Sequence, residues 1–232
     1  MVVVAFMLAS YLFGSLPFVP YLAKRRGIDL RNVGSGNVGS GNLWQNVGAK
    51  IGMVGGLSDL SKGALPPLIA RSIGLSPSVV ALSGLAGITG QIWPIFLRFK
   101  GGKGNSAALG LALVLTPKGF LISIIPMLLG GAVMSFPVMA NRSLPLSQRV
   151  KFHRSSTNSV PLGMLTGFTL LPIVAWRLRQ PIYVTLACTT IPLLLSFKRI
   201  FAPRSGNVGS LPGNKRELIS RLLYDRSPTE GL

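Results

Sequence analysis

Residues 100–104 read Lys-Gly-Gly-Lys-Gly and lie between two apolar runs, residues 92–97 and 107–115. The glycines let backbone N–H groups approach an anion closely, and the two lysines add positive charge. A helix that begins at Asn105 or Ser106 would also direct the positive end of its dipole at the same point. The stretch therefore predicts a phosphate site at a membrane surface. The simpler alternative is a basic turn that contacts lipid headgroups.

The composition of the whole chain is that of a membrane protein. Of its 232 residues, 48% are hydrophobic and 12% are charged, and its mean hydropathy is +0.51. Its 24 Lys and Arg residues lie in short segments between apolar runs, a distribution that does not fit a nucleic-acid interface. The only cysteine is Cys188 and the only histidine is His153, which excludes an intramolecular disulfide and a Cys/His metal site.

Apolar segments along the chain predict an all-α, polytopic membrane fold with about seven crossings and some re-entrant or interfacial segments. Residues 1–22 carry no basic residue before their hydrophobic run, so we expect them to remain as a span. Residues 106–136 are too long for one crossing, and we expect two short helices that separate near Thr116 and Pro117. The other predicted spans are residues 51–73, 77–97, 160–176 and 181–197.

Two charged residues interrupt the predicted span at residues 51–73. Asp59 and Lys62 lie one helical turn apart on one face. Charges at that depth must pair with each other or line a wet cavity. The spacing favours an ion pair that fixes helix packing over a direct role in binding a substrate.

The basic residues predict the orientation of the chain. With the amino terminus outside, four cytoplasmic segments hold 5, 3, 4 and 7 of them, 19 of the 24 in all. We expect one transmembrane domain, residues 1–200, with cytoplasmic loops at 24–50, 98–105 and 141–158. Residues 201–232 form a basic cytoplasmic tail, in which the apolar positions 218, 219, 222 and 223 predict a short interfacial helix.

Another glycine-rich stretch, residues 31–42, lies on the same predicted side of the membrane as residues 100–104. It reads Arg-Asn-Val-Gly-Ser-Gly-Asn-Val-Gly-Ser-Gly-Asn. Gly34 and Gly36 let the backbone wrap an anion, while Ser35, Asn37 and Asn42 offer a hydroxyl and two amides. The stretch also satisfies G-x-G-x-x-G, but no strand precedes it, which argues against a dinucleotide site. A flexible linker is the alternative.

These stretches resemble the signature loops of the bacterial PlsY family of integral-membrane glycerol-3-phosphate acyltransferases. The resemblance is carried by residues 31–39 and by residues 90–104, which read Gly-Gln-Ile-Trp-Pro-Ile-Phe-Leu-Arg-Phe-Lys-Gly-Gly-Lys-Gly. Asp59-Leu-Ser-Lys-Gly is similar to that family's Asp-x-x-Lys-Gly. Arg216 begins a segment similar to its third motif, and Ser156 matches its serine-rich segment before a late helix.

The resemblance implies a seven-helix fold in the bacterial cell membrane, with a cytoplasmic active site. The reaction would transfer a fatty acyl group from acyl phosphate to the 1-hydroxyl of glycerol 3-phosphate, giving lysophosphatidic acid for phospholipid synthesis. The partners would be these two substrates and membrane lipids, with no nucleic acid and no metal or organic cofactor. The resemblance implies catalytic roles for Ser35 and Lys103. The implied substrate-binding residues are Gly34, Gly36, Asn37, Asn42, Lys100, Gly101, Gly102, Ser156, Lys215 and Arg216.

Several positions depart from the family pattern. Gln45 stands where the family has a phosphate-binding arginine, and Gln91 stands where it has a histidine. In the third motif, the family's histidine and asparagine fall at Lys215 and Leu218, and leucine offers no hydrogen bond. These losses leave open a degenerate relative that binds a phosphorylated metabolite or phospholipid without turnover. A small anion transporter is a third hypothesis, although no inverted repeat is visible in the sequence.

Overall fold

The computed structural model describes residues 1–140 and 160–201, which contain nine α-helices, one 3₁₀-helix and no β-strand. The helices are α1 (Val2–Ser15), α2 (Phe18–Lys24), α3 (Ser40–Asn46), α4 (Ala49–Ser72), α5 (Pro77–Ile92), α6 (Asn105–Leu115), α7 (Pro117–Ala140), α8 (Val160–Arg177) and α9 (Ile182–Ile200). The 3₁₀-helix is Ile95–Leu97. The predicted loop at 141–158 and the predicted tail, except Phe201, lie outside the described residues. The all-α prediction is confirmed for the part of the chain that is described.

Prolines set two of the helix boundaries. Pro17 separates α1 from α2, and Pro117 is the first residue of α7, where its missing N–H costs no helical hydrogen bond. The predicted break near Thr116 is therefore confirmed. The prediction of two short helices there is half wrong, because α7 has 24 residues while α6 has only 11.

Two stretches among the described residues are long and apolar enough to cross a membrane by themselves. They are Val2–Lys24, which runs through the break at Pro17, and Pro77–Leu97, which includes the 3₁₀-helix. Helix α4 has sufficient length for a crossing, at 24 residues, but carries Asp59 and Lys62 near its middle. The count of seven crossings stays a prediction.

Helices α4 and α5 lie at the centre of the packing. Helix α5 contacts α1, α4, α6 and α9, while α4 contacts α3 and α6 as well. Small residues let these helices approach closely: a methyl group added at Gly87 of α5 would collide with the carbonyl of Lys62, and one added at Gly63 of α4 would collide with the carbonyl of Ala107. Close approach through glycine is typical of helix pairs in membranes, where packing drives association.

This packing positions both glycine-rich stretches. Helix α5 and the 3₁₀-helix lead into residues 100–104, which we call the second loop, and α6 begins directly after them. Residues 31–39 form the first loop. Val38 of this loop and Leu30, just before it, pack into a small buried cluster with Val19, Ala23 and Leu43. Because α3 and α4 follow the first loop and α4 packs against both α5 and α6, the two loops come to the same end of the helices.

Candidate functional site

The first loop is shaped by one buried side chain, that of Asn42 in α3. Its amide nitrogen donates to the carbonyls of Leu30, Val33 and Asn37 at 2.9, 3.0 and 2.9 Å, and its amide oxygen accepts from the N–H of Ser35 at 3.1 Å. Asn42 is only 4% exposed, so these bonds are shielded from water. The amide therefore holds the loop in one conformation and fixes the position of Ser35.

A left-handed glycine ends the second loop. Gly104 has φ 81° and is the N-cap of α6, so the chain turns there and the helix begins at Asn105, as the sequence predicts. Lys103, immediately before this turn, is half-buried. The amino end of α6 and the Lys103 ammonium group therefore supply positive electrostatic potential to the same region.

The two loops are in contact. Directly after the two loops, the hydroxyl of Ser40, the first residue of α3, lies 3.3 Å from the hydroxyl of Ser106, the second residue of α6. A methyl group added at Gly102 would come within 3.2 Å of the side-chain nitrogen of Gln91 and 3.7 Å of the Cα of Gly39. Residues separated by more than sixty positions in sequence thus form one wall.

Both loops border a cavity of about 480 Å³, a volume in the range of small-molecule sites. Its polar lining comes from the loops, the starts of α3 and α6, and α4 and α5, and includes Ser35, Asn37, Ser40, Asn42, Gln45, Asp59, Gln91, Lys103, Asn105 and Ser106. Its apolar lining comes mainly from α4, with one residue each from α3 and α8, and includes Trp44, Met53, Leu57, Leu60 and Met164. The polar residues suit a polar ligand, and the apolar residues suit a hydrocarbon chain. We call these two parts of the lining the polar end and the apolar wall.

A buried ion pair underlies the polar end. Lys62 Nζ lies 3.3 Å from Asp59 Oδ1, and both side chains are 3% exposed. The same ammonium group donates to the side-chain oxygen of Gln91 and so joins α4 to α5. The ion pair that the sequence predicts is confirmed. It lies within α4, and the hydrogen bond from Lys62 to Gln91 holds α5 against this helix.

The structure brings four of the predicted site residues to the cavity, namely Ser35, Asn37, Asn42 and Lys103. Gly101 and Gly102 instead line a much smaller neighbouring space, together with Asp59 and Lys62. Lys100 is exposed, and Gly34 and Gly36 shape the first loop at φ 60° and 67° without lining the cavity. Ser156, Lys215 and Arg216 lie outside the described residues, as do His153 and Leu218. The roles assigned to all these residues stay predictions.

Some lining residues were not identified from the sequence. The apolar wall formed by Met53, Leu57 and Leu60 gives no sequence signal, because apolar residues in a membrane helix are expected on every face. The sequence does not predict helix α3 either, since Ser40–Asn46 is short and follows a glycine-rich run. For two other lining residues, Asn105 and Ser106, the sequence does give a signal, because they stand at the predicted start of a helix.

Comparison with known proteins gives a consistent result. A family model described as glycerol-3-phosphate acyltransferase matches residues 4–202. Curated proteins named glycerol-3-phosphate acyltransferase are 40% identical in Geotalea daltonii over 121 residues, 42% in Aquifex aeolicus over 115 and 40% in Trichlorobacter lovleyi over 141. These alignments cover 52%, 49% and 59% of this chain and 62%, 60% and 73% of the relatives. The chain thus spans less than two thirds of the first two relatives.

Two solved structures have a similar fold over most of the chain. They are crystal structures of PlsY (YgiH), an integral membrane glycerol 3-phosphate acyltransferase, in a lysophosphatidic acid form and a glycerol 3-phosphate form. Their sequence identities to this chain are 28% and 29%, and their TM-scores are 0.68 and 0.67. Each match covers 86% of this chain and 88% of the solved one.

Proposed function

Because this chain belongs to the glycerol-3-phosphate acyltransferase family, we propose that it transfers a fatty acyl group from acyl phosphate to the 1-hydroxyl of glycerol 3-phosphate. The observation that carries the proposal is that Ser35 and Lys103, from two separate loops, line one cavity that also has an apolar wall. The two similar structures are forms with glycerol 3-phosphate and with lysophosphatidic acid, the acceptor and the product of this reaction.

The proposed reaction needs positioning and charge neutralisation more than a protein nucleophile. A bond forms between the acceptor's hydroxyl oxygen and the acyl carbon, and the bond from that carbon to the phosphate oxygen breaks. Phosphate leaves with the electron pair, and the hydroxyl proton passes to phosphate or solvent. Acyl phosphate is an activated donor, so holding the two substrates together and neutralising phosphate charge supply much of the catalysis.

We assign roles to the residues on this basis. Lys103 neutralises phosphate charge, with help from the amino end of α6. Ser35 and Asn37, which line the cavity, hydrogen-bond the acceptor. A phosphate contact of the Gly101 and Gly102 N–H groups is also part of the proposal, although these residues line the smaller neighbouring space. Substrate contacts for Gly34, Gly36, Asn42, Lys100, Ser156, Lys215 and Arg216 are part of the same proposal and have less support from the described geometry.

Gln45 affects how much of the phosphate charge Lys103 must neutralise. It lines the cavity as a neutral amide at the position where the family pattern has arginine. An arginine offers a charged, two-pronged contact to phosphate that an amide does not replace. This cavity therefore depends on Lys103 for a larger share of its charge neutralisation.

The orientation follows from the basic residues. We propose that the amino terminus lies outside the bacterial inner membrane, that about seven crossings form one domain of residues 1–200, and that residues 201–232 are cytoplasmic. A membrane-impermeant thiol reagent applied to intact cells should then label Ser76→Cys, in the exposed turn before α5, but not Lys50→Cys at the start of α4. Cys188 is buried and should not interfere. The reverse labelling pattern would refute this orientation.

The experiment that tests the proposed activity uses the purified protein in lipid with glycerol 3-phosphate. Palmitoyl phosphate and palmitoyl-CoA are supplied in parallel as donors, and lysophosphatidic acid is measured. We expect product from palmitoyl phosphate and little or none from palmitoyl-CoA. Product from neither donor, with glycerol 3-phosphate binding intact, would instead support a family member that binds its ligand without turnover.

A further inference from the structure

The amino-terminal half of α4 contains three glycines within five residues, Gly52, Gly55 and Gly56. Glycine in the middle of a helix destabilises it relative to alanine, since it loses more backbone freedom on folding. Each of the three therefore needs a reason for lacking a side chain.

Helix packing explains two of them. A methyl group added at Gly52 would collide with the backbone of Trp44 in α3. One added at Gly55 would come within 2.6 Å of Leu43 and 3.3 Å of Val19, in the buried cluster beneath the first loop. Both glycines therefore let α4 approach α3 and α2 closely, and any larger residue would push these helices apart.

Packing does not explain Gly56. Outside its own helix, a methyl group there would have only one neighbour within 4 Å among the described residues, the Cβ of Ser40 at 4.0 Å. Gly56 lines the cavity that holds Ser35 and Lys103. The missing side chain therefore leaves space inside the cavity and does not serve a helix contact.

The surroundings of Gly56 indicate what fills this space. Met53 and Leu60 lie three and four residues away on α4, on the same face, and Leu57 is the next residue. Met53 and Leu57 are also 53% and 62% exposed on the outer surface of the helix. The apolar wall thus continues from the polar end of the cavity to a surface that faces hydrocarbon in the membrane.

We propose that Gly56 determines which acyl donors this protein accepts, by keeping the passage from the polar end of the cavity to the apolar wall wide enough for a long acyl chain. The inference depends on the proposed function, because it takes the acyl chain of the donor as the occupant. The apolar wall suits an acyl chain, and the polar end beside it holds Lys103, which we assign to phosphate charge. A larger side chain at position 56 narrows the passage and discriminates against long donors.

The test compares Gly56→Ala and Gly56→Leu with wild type, using a series of acyl phosphates from four to sixteen carbons. The shortest donor that wild type uses is the reference. We expect kcat/KM for the sixteen-carbon donor, relative to the reference, to fall about tenfold or more in Gly56→Leu and by a smaller factor in Gly56→Ala. The KM for glycerol 3-phosphate, measured with the reference donor, should stay unchanged.

Val54→Leu is the matched control. Val54 is two positions away, is 56% exposed and does not line the cavity, so added bulk there should leave donor preference unchanged. Gly56→Ala adds one methyl group in open space and favours the helix, so it keeps the test valid if the leucine variant does not fold.

The outcomes separate the inference from the proposed function. If wild type makes no product from any acyl phosphate, the proposed function fails. If wild type is active and the folded position 56 variants lose activity equally with all donors, or lose none, Gly56 does not select the donor. A change in donor preference of the same size in Val54→Leu would also overturn the inference.

Discussion

The side-chain amide of Asn42 bonds to three carbonyl groups and one N–H group of the chain around the first loop. The sequence offers the amide of Asn42 beside glycines, which suits an anion site, and the family resemblance implies that Asn42 binds substrate. The structure shows that its hydrogen-bonding groups are used by the protein itself. A sequence reveals that an asparagine can bond, but the partner depends on the fold of a loop that has no repeating pattern.

We expect Asn42→Ala to impair the protein through the loop. The substitution leaves buried backbone carbonyls without a donor, at about 1–3 kcal/mol for each unsatisfied group. The thermal unfolding midpoint should fall, and the KM for glycerol 3-phosphate should rise because Ser35 loses its fixed position.

Asn46→Ala is a suitable comparison. The side-chain nitrogen of Asn46 donates to the backbone carbonyl and to the side-chain oxygen of Asn42. Among the described residues, Asn46 makes no hydrogen bond to the first loop. It should have the smaller effect on KM. Equal effects of the two variants would contradict the role given to Asn42.

At the scale of helices, much of the arrangement could be predicted. Apolar length predicted helices where α4, α5, α8 and α9 lie, Pro117 marked a break, and the i, i+3 spacing of Asp59 and Lys62 predicted their ion pair. What could not be predicted was which face of α4 meets which neighbour. Its apolar residues point in all directions in a membrane, so the cavity-facing position of Gly56 becomes visible only when the helices are packed.

The ion pair in α4 gives a prediction at this scale. Lys62→Met leaves the carboxylate of Asp59 buried without its partner and removes the link to Gln91, which should destabilise the protein by about 3–5 kcal/mol. The double variant Asp59→Asn/Lys62→Met removes both charges and should be destabilised less than the single variant.

Thermal unfolding in the same lipid or detergent measures both variants. Acyltransferase activity is the second measurement. It should fall if α4 and α5 separate, because Asp59 and Gln91 line the cavity and would move. If the double variant is less stable than Lys62→Met, charge compensation between Asp59 and Lys62 does not stabilise this part of α4.

At the scale of the whole molecule, the sequence places the two glycine-rich stretches on one predicted side of the membrane, and the structure brings them to one cavity. That prediction came from counting basic residues across the crossings. Contact between the stretches needs the close packing of α4 with α5 and α6, which depends on glycines whose neighbours are distant in sequence. The cavity volume and its apolar wall follow from the same packing.

The central claim is that the two loops form one site for phosphate at the polar end of the cavity. It predicts that substituting two lysines on the same predicted side of the membrane will change activity by very different amounts. Lys103 lines the cavity, whereas Lys50 is exposed at the start of α4 and does not line it. Lys100, the exposed first residue of the second loop, should matter less than Lys103.

The most direct measurement is kcat/KM for glycerol 3-phosphate with palmitoyl phosphate as donor, in lipid, for wild type, Lys103→Ala and Lys50→Ala. We expect Lys103→Ala to lose about 10²–10³-fold, the usual cost of removing a group that stabilises transition-state charge. Lys50→Ala should stay within about twofold of wild type, since surface substitutions away from such a site have little effect. A folded Lys103→Ala protein that turns over as fast as wild type would contradict the account.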